Sequence, residues 1–345
     1  MKIAFLINEE DTHSQKWLRY FGQNHNVFAI KTRKYPWKLL EIANIFSVAK
    51  QIRETKPDVL HAHYAGVNGL LGAICNFKPF FVSAWGSDVM VSPKKNFLRR
   101  MAVKYIFKKA DLITCDAEHM KREIAGYGVP DSKIKIINFG VDTRKFSPAQ
   151  KNGDIQKKIG VAPSPVIISL RKLEEIYDIE SLLLAAPAVL KKYKNAKFLI
   201  VGRGSKENSL KELAKSLKVS ESVKFVGWLS QEDIANYLRQ SDVYVSTSLS
   251  DGGIASSTAE AMACELPVVI TDFGDNKEWV RDGESGFLVP LKSPAVLADR
   301  IIKLLENPEM RKIMGEKGRK IIEEKDDYYK EMAKMEKLYQ LYETA

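Results

Sequence analysis

At 345 residues the chain is longer than one hydrophobic core usually supports and comfortable for two domains. Its composition, 45% hydrophobic and 28% charged, excludes a disordered protein, and no apolar run approaches the roughly 20 residues of a membrane-spanning helix. The net charge of +11 sits in one half: residues 1–160 carry 27 Lys and Arg against 14 Asp and Glu, residues 161–345 carry 27 against 29. That basic half either meets an anionic partner (nucleic acid, a phosphorylated substrate or an acidic membrane) or is a solvated basic surface.

The chain opens on a short apolar stretch, Ile3–Ile7, that turns acidic at Glu9-Glu10-Asp11, so it reads as a buried strand and not as a signal peptide. Helical periodicity around Trp17–Phe21 follows, then a strand at Val27–Ile30 and a helix over Leu39–Glu54. Further strands are expected at Val59–His61, Phe80–Ala84, Leu112–Thr114 and Ile134–Ile137. Asn152-Gly-Asp154, with Pro163 and Pro165 close by, suits a linker. The rhythm then restarts with a strand at Val166–Leu170 and a helix at Ile179–Tyr193. Strands are expected again at Phe198–Val201, Val223–Val226, Val243–Ser246, Val268–Thr271 and Phe287–Val289, before a last helical pattern over Asp327–Tyr342. Short apolar strands alternating with helices predict an α/β chain of two doubly wound, Rossmann-like domains. The expected boundaries are 1–150, with the helix of about 327–345 packing back on it, and 151–326. Cys75, Cys115 and Cys264 form neither a paired set nor a C-x-x-C, which favours a reducing, cytoplasmic setting.

The most informative stretch runs from Val243 to Pro290. After a strand, Ser246-Thr-Ser-Leu-Ser-Asp-Gly-Gly-Ile-Ala-Ser-Ser-Thr-Ala-Glu-Ala-Met-Ala263 passes through a glycine-containing loop into a helix near Ala255. Gly252 and Gly253 allow close backbone approach, Ser256, Ser257 and Thr258 do not obstruct it, and the free N–H groups of the helix start attract phosphate. Glu260, inside that helix, has acceptor oxygens suited to the two adjacent hydroxyls of a ribose.

These residues resemble glycosyltransferase family 4, the retaining enzymes of GT-B fold. Glu260-Ala-Met-Ala-Cys-Glu-Leu-Pro-Val-Val269 follows the family's pattern, with Glu265 in place of the usual glycine. Thr271-Asp272, Glu278-Trp-Val-Arg-Asp-Gly283 and Gly286-Phe-Leu-Val289 continue it in order. The family's first acidic residue stands eight before the glutamate; here Gly252 has that place and Asp251 lies one residue further out. The resemblance implies that Asp251 serves near the donor sugar and Glu260 on the ribose. Either Arg171 or Lys172 fills the family's Arg position on the diphosphate. Tyr177 stands where a lysine is expected when Lys172 is the anchor. Gly202-Arg-Gly204 matches the family's Gly-x-Gly.

In the first half, Asp58-Val-Leu-His-Ala-His-Tyr64 resembles the family's strand ending in a histidine pair, and Trp85-Gly-Ser-Asp88 its Gly-Ser-Asp loop. The resemblance implies two domains facing a central cleft, with His63 among the catalytic residues beside Arg171, Lys172 and Asp251, and His13, Trp85, Ser87 and Asp88 on the acceptor side. Pro93–Ala110 mixes seven Lys and Arg with apolar residues. It reads either as a helix lying on an anionic membrane or as one packed on its domain and solvated outside.

The implied function is metal-independent, retaining transfer of a hexosyl or related group from a nucleoside-diphosphate sugar to a hydroxyl of a glycan or lipid-linked acceptor. No metal and no cofactor beyond the donor is expected. The setting is polysaccharide or glycolipid synthesis, on the cytoplasmic side and peripheral at the inner face of the membrane. Two rival readings are a non-catalytic sugar-nucleotide or polysaccharide binding module and a sugar-nucleotide epimerase. Nucleic-acid binding lacks an aromatic-basic motif to support it.

Overall fold

The structure, a computed structural model, describes residues 1–8, 11–30, 41–151, 153, 157, 164–250 and 253–343. The chain divides into two compact units, Met1–Gly140 with Tyr328–Ala345, and Val141–Asp327.

In the first unit the strands β1 (Lys2–Leu6), β2 (Asn26–Ile30), β3 (Val59–His63), β4 (Phe80–Ser83), β5 (Leu112–Cys115) and β6 (Ile134–Ile136) form one sheet in the order β2-β1-β3-β4-β5-β6. Every pairing is parallel. Both faces are covered, which is why the strands read as unbroken apolar runs. Alternate residues serve the two faces. Ala4, Leu6, Leu60 and Val82 meet the helices α2 (Glu41–Thr55), α3 (Val67–Cys75), α4 (Phe97–Lys109) and α5 (Glu118–Ala125). Ile3, Phe5, Val59 and Phe81 meet Trp17 and Phe21 of α1 (Thr12–Phe21) and Met332, Met335 and Tyr339 of the terminal helix Tyr328–Glu343.

The second unit repeats the plan. Its strands β7 (Val166–Leu170), β8 (Lys197–Val201), β9 (Val223–Gly227), β10 (Val243–Ser246), β11 (Val268–Thr271) and β12 (Phe287–Val289) are ordered β12-β11-β10-β7-β8-β9. Counted from the unit's own first strand, this is the 3-2-1-4-5-6 order of nucleotide-binding sheets, whose direction of winding reverses between β7 and β10. The helices α6 (Ile179–Lys192), α7 (Glu207–Ser216) and α11 (Pro294–Glu306) cover one face. The other is covered by α8 (Gln231–Gln240), α9 (Ser256–Ala263) and the end of α12 (Pro308–Lys325), with the short α10 (Asn276–Trp279) beside them.

The boundary falls ten residues before the expected one. Val141 and Phe146 are already buried in the second unit's core, and Arg239 Nε donates to the carbonyl of Ser147 at 2.8 Å. A packed tail therefore precedes the polar connection that marks the sequence. Lys172, expected beside a strand end, is exposed, whereas His63, expected just beyond β3, is its last residue and buried. Behind α9 the chain turns at Glu265, whose φ of 59° is left-handed. Gly315 of α12 approaches so closely there that a Cβ on it would stand 2.0 Å from the Glu265 carbonyl oxygen.

Candidate active site

In the second unit the loops that leave β7 and β10 meet at the reversal point, where ligands of such sheets bind. Arg171 follows the last residue of β7, and its N–H donates to Val201 at the end of β8 (3.1 Å). Its guanidinium lies 4.5 Å from the centre of the Tyr177 ring, and Nη2 donates to Ser248 Oγ at 3.2 Å. Ser248 is in turn held by Thr271, whose hydroxyl donates to the Ser248 carbonyl at 2.6 Å. Thr247 donates to the Tyr177 carbonyl (3.1 Å), and Leu249 N–H donates to that of Ile176 (2.8 Å). Two loops remote in sequence are thus stitched together around one cation.

The Gly-x-Gly segment makes this close approach possible. Gly202 has φ 142°, and a Cβ on it would stand 2.1 Å from the Arg171 carbonyl oxygen. A Cβ on Gly204 would stand 2.3 Å from that of Leu173. Beyond them, Ser205 donates through its hydroxyl and N–H to Glu174, and these bonds hold that carboxyl below the usual range.

Helix α9 begins at Ser256 behind Ala255, which supplies no side-chain cap. Thr258 N–H donates to the Ala255 carbonyl at 2.8 Å, while no side chain caps the N–H groups of Ser256 and Ser257 ahead of it, which carry the positive end of the helix dipole. The hydroxyls of Ser257 and Thr258 turn inward to the buried Tyr244 Oη, at 2.8 and 3.4 Å. They fix the helix start, so the helix presents its backbone and the exposed Ser256. Glu260 is buried one turn on. Gly253 is described, whereas Asp251 and Gly252 lie outside the described residues. Ser169 and Ser246, near the ends of the adjacent β7 and β10, each have a buried hydroxyl with no partner among the described residues. A cavity of about 520 Å³ opens beside the Tyr177 loop, lined among others by Glu174, Asp178, Lys206, Leu249 and Lys292; Arg171, Lys172 and Glu260 do not line it.

In the first unit a cluster of rings gathers where β3 and β4 end. His63 packs against Trp85 (centroids 5.2 Å apart), and His13 packs on Phe139 at 4.1 Å and Trp85 at 5.9 Å. His63 Nδ1 is 3.2 Å from Ser14 Oγ, and Nε2 has no partner among the described residues. Burial pushes His63 down to about 3 and His13 to about 4, so both rings are neutral near pH 7. His61 is a core residue: its nitrogens meet Tyr339 Oη at 2.5 Å and Ser83 Oγ at 2.9 Å.

Asp88 differs from its expected role. Its carboxylate is buried and accepts from the N–H groups of Ala65 (2.6 Å) and Trp85 (3.0 Å), so it braces two loops instead of presenting oxygens to a sugar. Ser87 is exposed and shares a hydrogen bond with Tyr64 Oη. Three contributors carry no sequence signal of their own. Ser248 and Ser14 look like ordinary loop and helix serines, and Phe139 lies 126 residues from the histidine it covers.

Residues 152–321 match the family model described as glycosyl transferases group 1, and residues 19–117 the one described as glycosyl transferase 4-like. The chain is 29% identical over 306 residues to the putative glycosyltransferase EpsD of Bacillus subtilis, covering 85% of this chain and 79% of that protein. It is 24% identical over 328 residues to N-acetyl-alpha-D-glucosaminyl L-malate synthase of Bacillus anthracis, covering 91% and 83%. Among solved structures, Anabaena Alr3699/HepE in complex with UDP superposes with a TM-score of 0.81 at 18% identity, covering 99% of this chain and 100% of that one.

Proposed function

The chain belongs to the group 1, family-4-like glycosyltransferases of GT-B fold, and from that premise we propose a retaining, metal-independent transfer of a hexosyl or related group. The donor is a nucleoside-diphosphate sugar and the acceptor a hydroxyl of a glycan or lipid-linked molecule. The observation that carries this reading is the convergence at the β7/β10 reversal point of Arg171, Ser248 and a helix start without a side-chain cap. Each of these attracts or orients an anion.

Negative charge develops on the departing diphosphate as the glycosyl bond breaks. Arg171 and Lys172 stabilise that charge together with the first-turn N–H groups of α9, which supply the positive potential a divalent ion would otherwise bring. Glu260 accepts from the ribose hydroxyls, and Asp251 serves near the donor sugar. The acceptor oxygen attacks from the face on which the diphosphate leaves and passes its proton to the departing phosphate oxygen, so no protein nucleophile is needed. In the first unit His63, His13 and Trp85 supply polar and ring surface to the sugars. Structures of Anabaena Alr3699/HepE hold UDP and UDP-glucose, which makes uridine donors the first to try. The reaction belongs to polysaccharide or glycolipid synthesis on the cytoplasmic side, next to the membrane.

The test is a thermal-shift panel of nucleoside diphosphates and their sugars, followed by turnover with the best donor. A cognate donor at a hundredfold excess over its Kd stabilises the fold by about 2.7 kcal/mol. A panel with no shift removes the donor site. Binding without hydrolysis or transfer would leave a sugar-nucleotide binding module in place of an enzyme.

A further inference from the structure

Helix α4 carries two apolar stripes on opposite sides. Val103, Ile106 and Phe107 are buried against the sheet, and Gly69 of α3 seats against Ile106. Phe97, Met101 and Tyr105, one turn apart along the other side, face solvent together with Leu98; Phe97 and Leu98 are 73% and 78% exposed. A helix that merely packs on its domain needs only the first stripe.

The outward stripe is not isolated. Val91 just before it, Phe46 on α2, and Val67 and Ile74 on α3 are exposed on the same helical layer. Large apolar side chains exposed in this number on one helical layer mark an interaction surface. Its frame identifies the partner. Pro93–Ala110 holds seven Lys and Arg and no acidic residue. Lys94, Lys95, Arg99, Arg100, Lys104 and Lys108 are all exposed, and none pairs with a carboxylate among the described residues.

We propose that this face docks on an anionic lipid bilayer, with Phe97 and Leu98 at the first turn of α4 entering the headgroup–acyl boundary while the surrounding Lys and Arg hold acidic headgroups. The side chain of Asn96 caps that turn by accepting from Arg99 N–H at 2.9 Å, so the two apolar residues are presented on an ordered helix end. Binding of this kind combines apolar insertion with electrostatic attraction, and neither part suffices alone. Among the described residues no helix is long and apolar enough to cross a membrane. The contact is therefore made from one side. It deepens the membrane-adjacent setting proposed above but needs no part of the transfer chemistry.

The experiment is co-sedimentation of the whole chain with vesicles of phosphatidylcholine alone and of phosphatidylcholine mixed with phosphatidylglycerol, an acidic lipid that attracts polybasic segments, in the absence of any donor. The parent should bind the acidic vesicles at low salt, release at high salt, and ignore pure phosphatidylcholine. The pair Phe97→Ser with Leu98→Ser should weaken binding about tenfold or more, as should replacement of Lys94, Lys95, Arg99 and Arg100 by Gln. Thermal stability should be unchanged in both variants, because these side chains are exposed. The proposal is overturned if the parent fails to bind acidic vesicles, or if the serine pair binds them as tightly as the parent. It is equally overturned if light scattering shows a dimer that the serine pair dissolves, since a second copy would then be the occupant. Donor-induced thermal shifts are read separately, so a failure of membrane binding leaves the transferase reading standing.

Discussion

The guanidinium of Arg171 lies 4.5 Å from the centre of the Tyr177 ring and donates to Ser248 Oγ at 3.2 Å. A tyrosine stands where a second cation is expected, and it positions the first. Arg171→Ala should lower kcat by about 10²–10³, the usual cost of removing a charge-stabilising donor. Tyr177→Ala, which leaves the cation in place but lets it swing, should lower kcat about tenfold with a smaller change in KM. Steady-state kinetics on both variants checks the order, and equal losses would make the ring more than a support.

Glu260→Gln keeps the shape of a buried side chain but removes its charge. Nucleotide affinity should fall about tenfold or more, as expected for losing a hydrogen bond to a charged group. Titration calorimetry with the nucleoside diphosphate measures it. An unchanged Kd would take Glu260 out of the donor site.

Gly202→Ala attacks the same site through the backbone. The added Cβ would stand 2.1 Å from the Arg171 carbonyl, at a φ of 142° that side chains rarely adopt. The cost should be about 2–4 kcal/mol of stability, with turnover reduced because the Arg171 loop is displaced. Urea unfolding alongside kinetics reads both, and a variant as stable as the parent would contradict the close approach.

The inner strands were legible because they are buried on both faces and bounded by turn residues, as at Val166–Leu170 or Val268–Thr271, and the half-buried edge strands Asn26–Ile30 and Val223–Gly227 by their short apolar runs. Glu260 and Arg171 could be put forward as candidates because a motif fixes their distance from a strand end, and the structure places them in α9 and directly after β7. Asp88 could not be read, since the N–H groups that claim it belong to Ala65 and Trp85 and only meet through the fold. The same holds for the boundary at Gly140, where Val141 and Phe146 look like linker residues until the second core receives them. In α4, periodicity shows that two sides are apolar but not which side the sheet takes.

Acid should weaken the fold through its histidines. His63 and His13 are lowered, mainly by burial, to about 3 and about 4, against about 6.5 in the unfolded chain. Below pH 6.5 the unfolded chain takes up protons that the folded chain refuses. Stability is therefore whole above about pH 6.5 and declines as pH falls toward 4, by up to about 1.4 kcal/mol per pH unit for each ring. His63→Gln removes one such titration, so its urea midpoint should drop less between pH 7 and pH 5 than the parent's. Parallel losses would mean that His63 is not held neutral.

Glu265 has φ 59°, the backbone geometry for which glycine, the family's usual residue there, has no penalty. Glu265→Gly should stabilise the second unit by about 0.5–1 kcal/mol, the relief of strain exceeding the added freedom of the unfolded chain. Thermal unfolding of the variant should shift upward by a degree or more. A downward shift would show that the Glu265 side chain compensates for its backbone.

The first unit is built from two stretches, Met1–Gly140 and Tyr328–Ala345, with the whole second unit between them in the chain. Met332, Met335 and Tyr339 of the later stretch are fully buried against Ile3, Phe5 and Phe81 of the earlier one. On the ribosome the earlier stretch therefore emerges with one sheet face covered only by α1, and the rest of that face stays bare while some 187 residues (141–327) are made. The second unit, begun later, is continuous and can finish first. The half that starts the chain is the last to close, and during that interval its uncovered sheet is the surface a chaperone would guard.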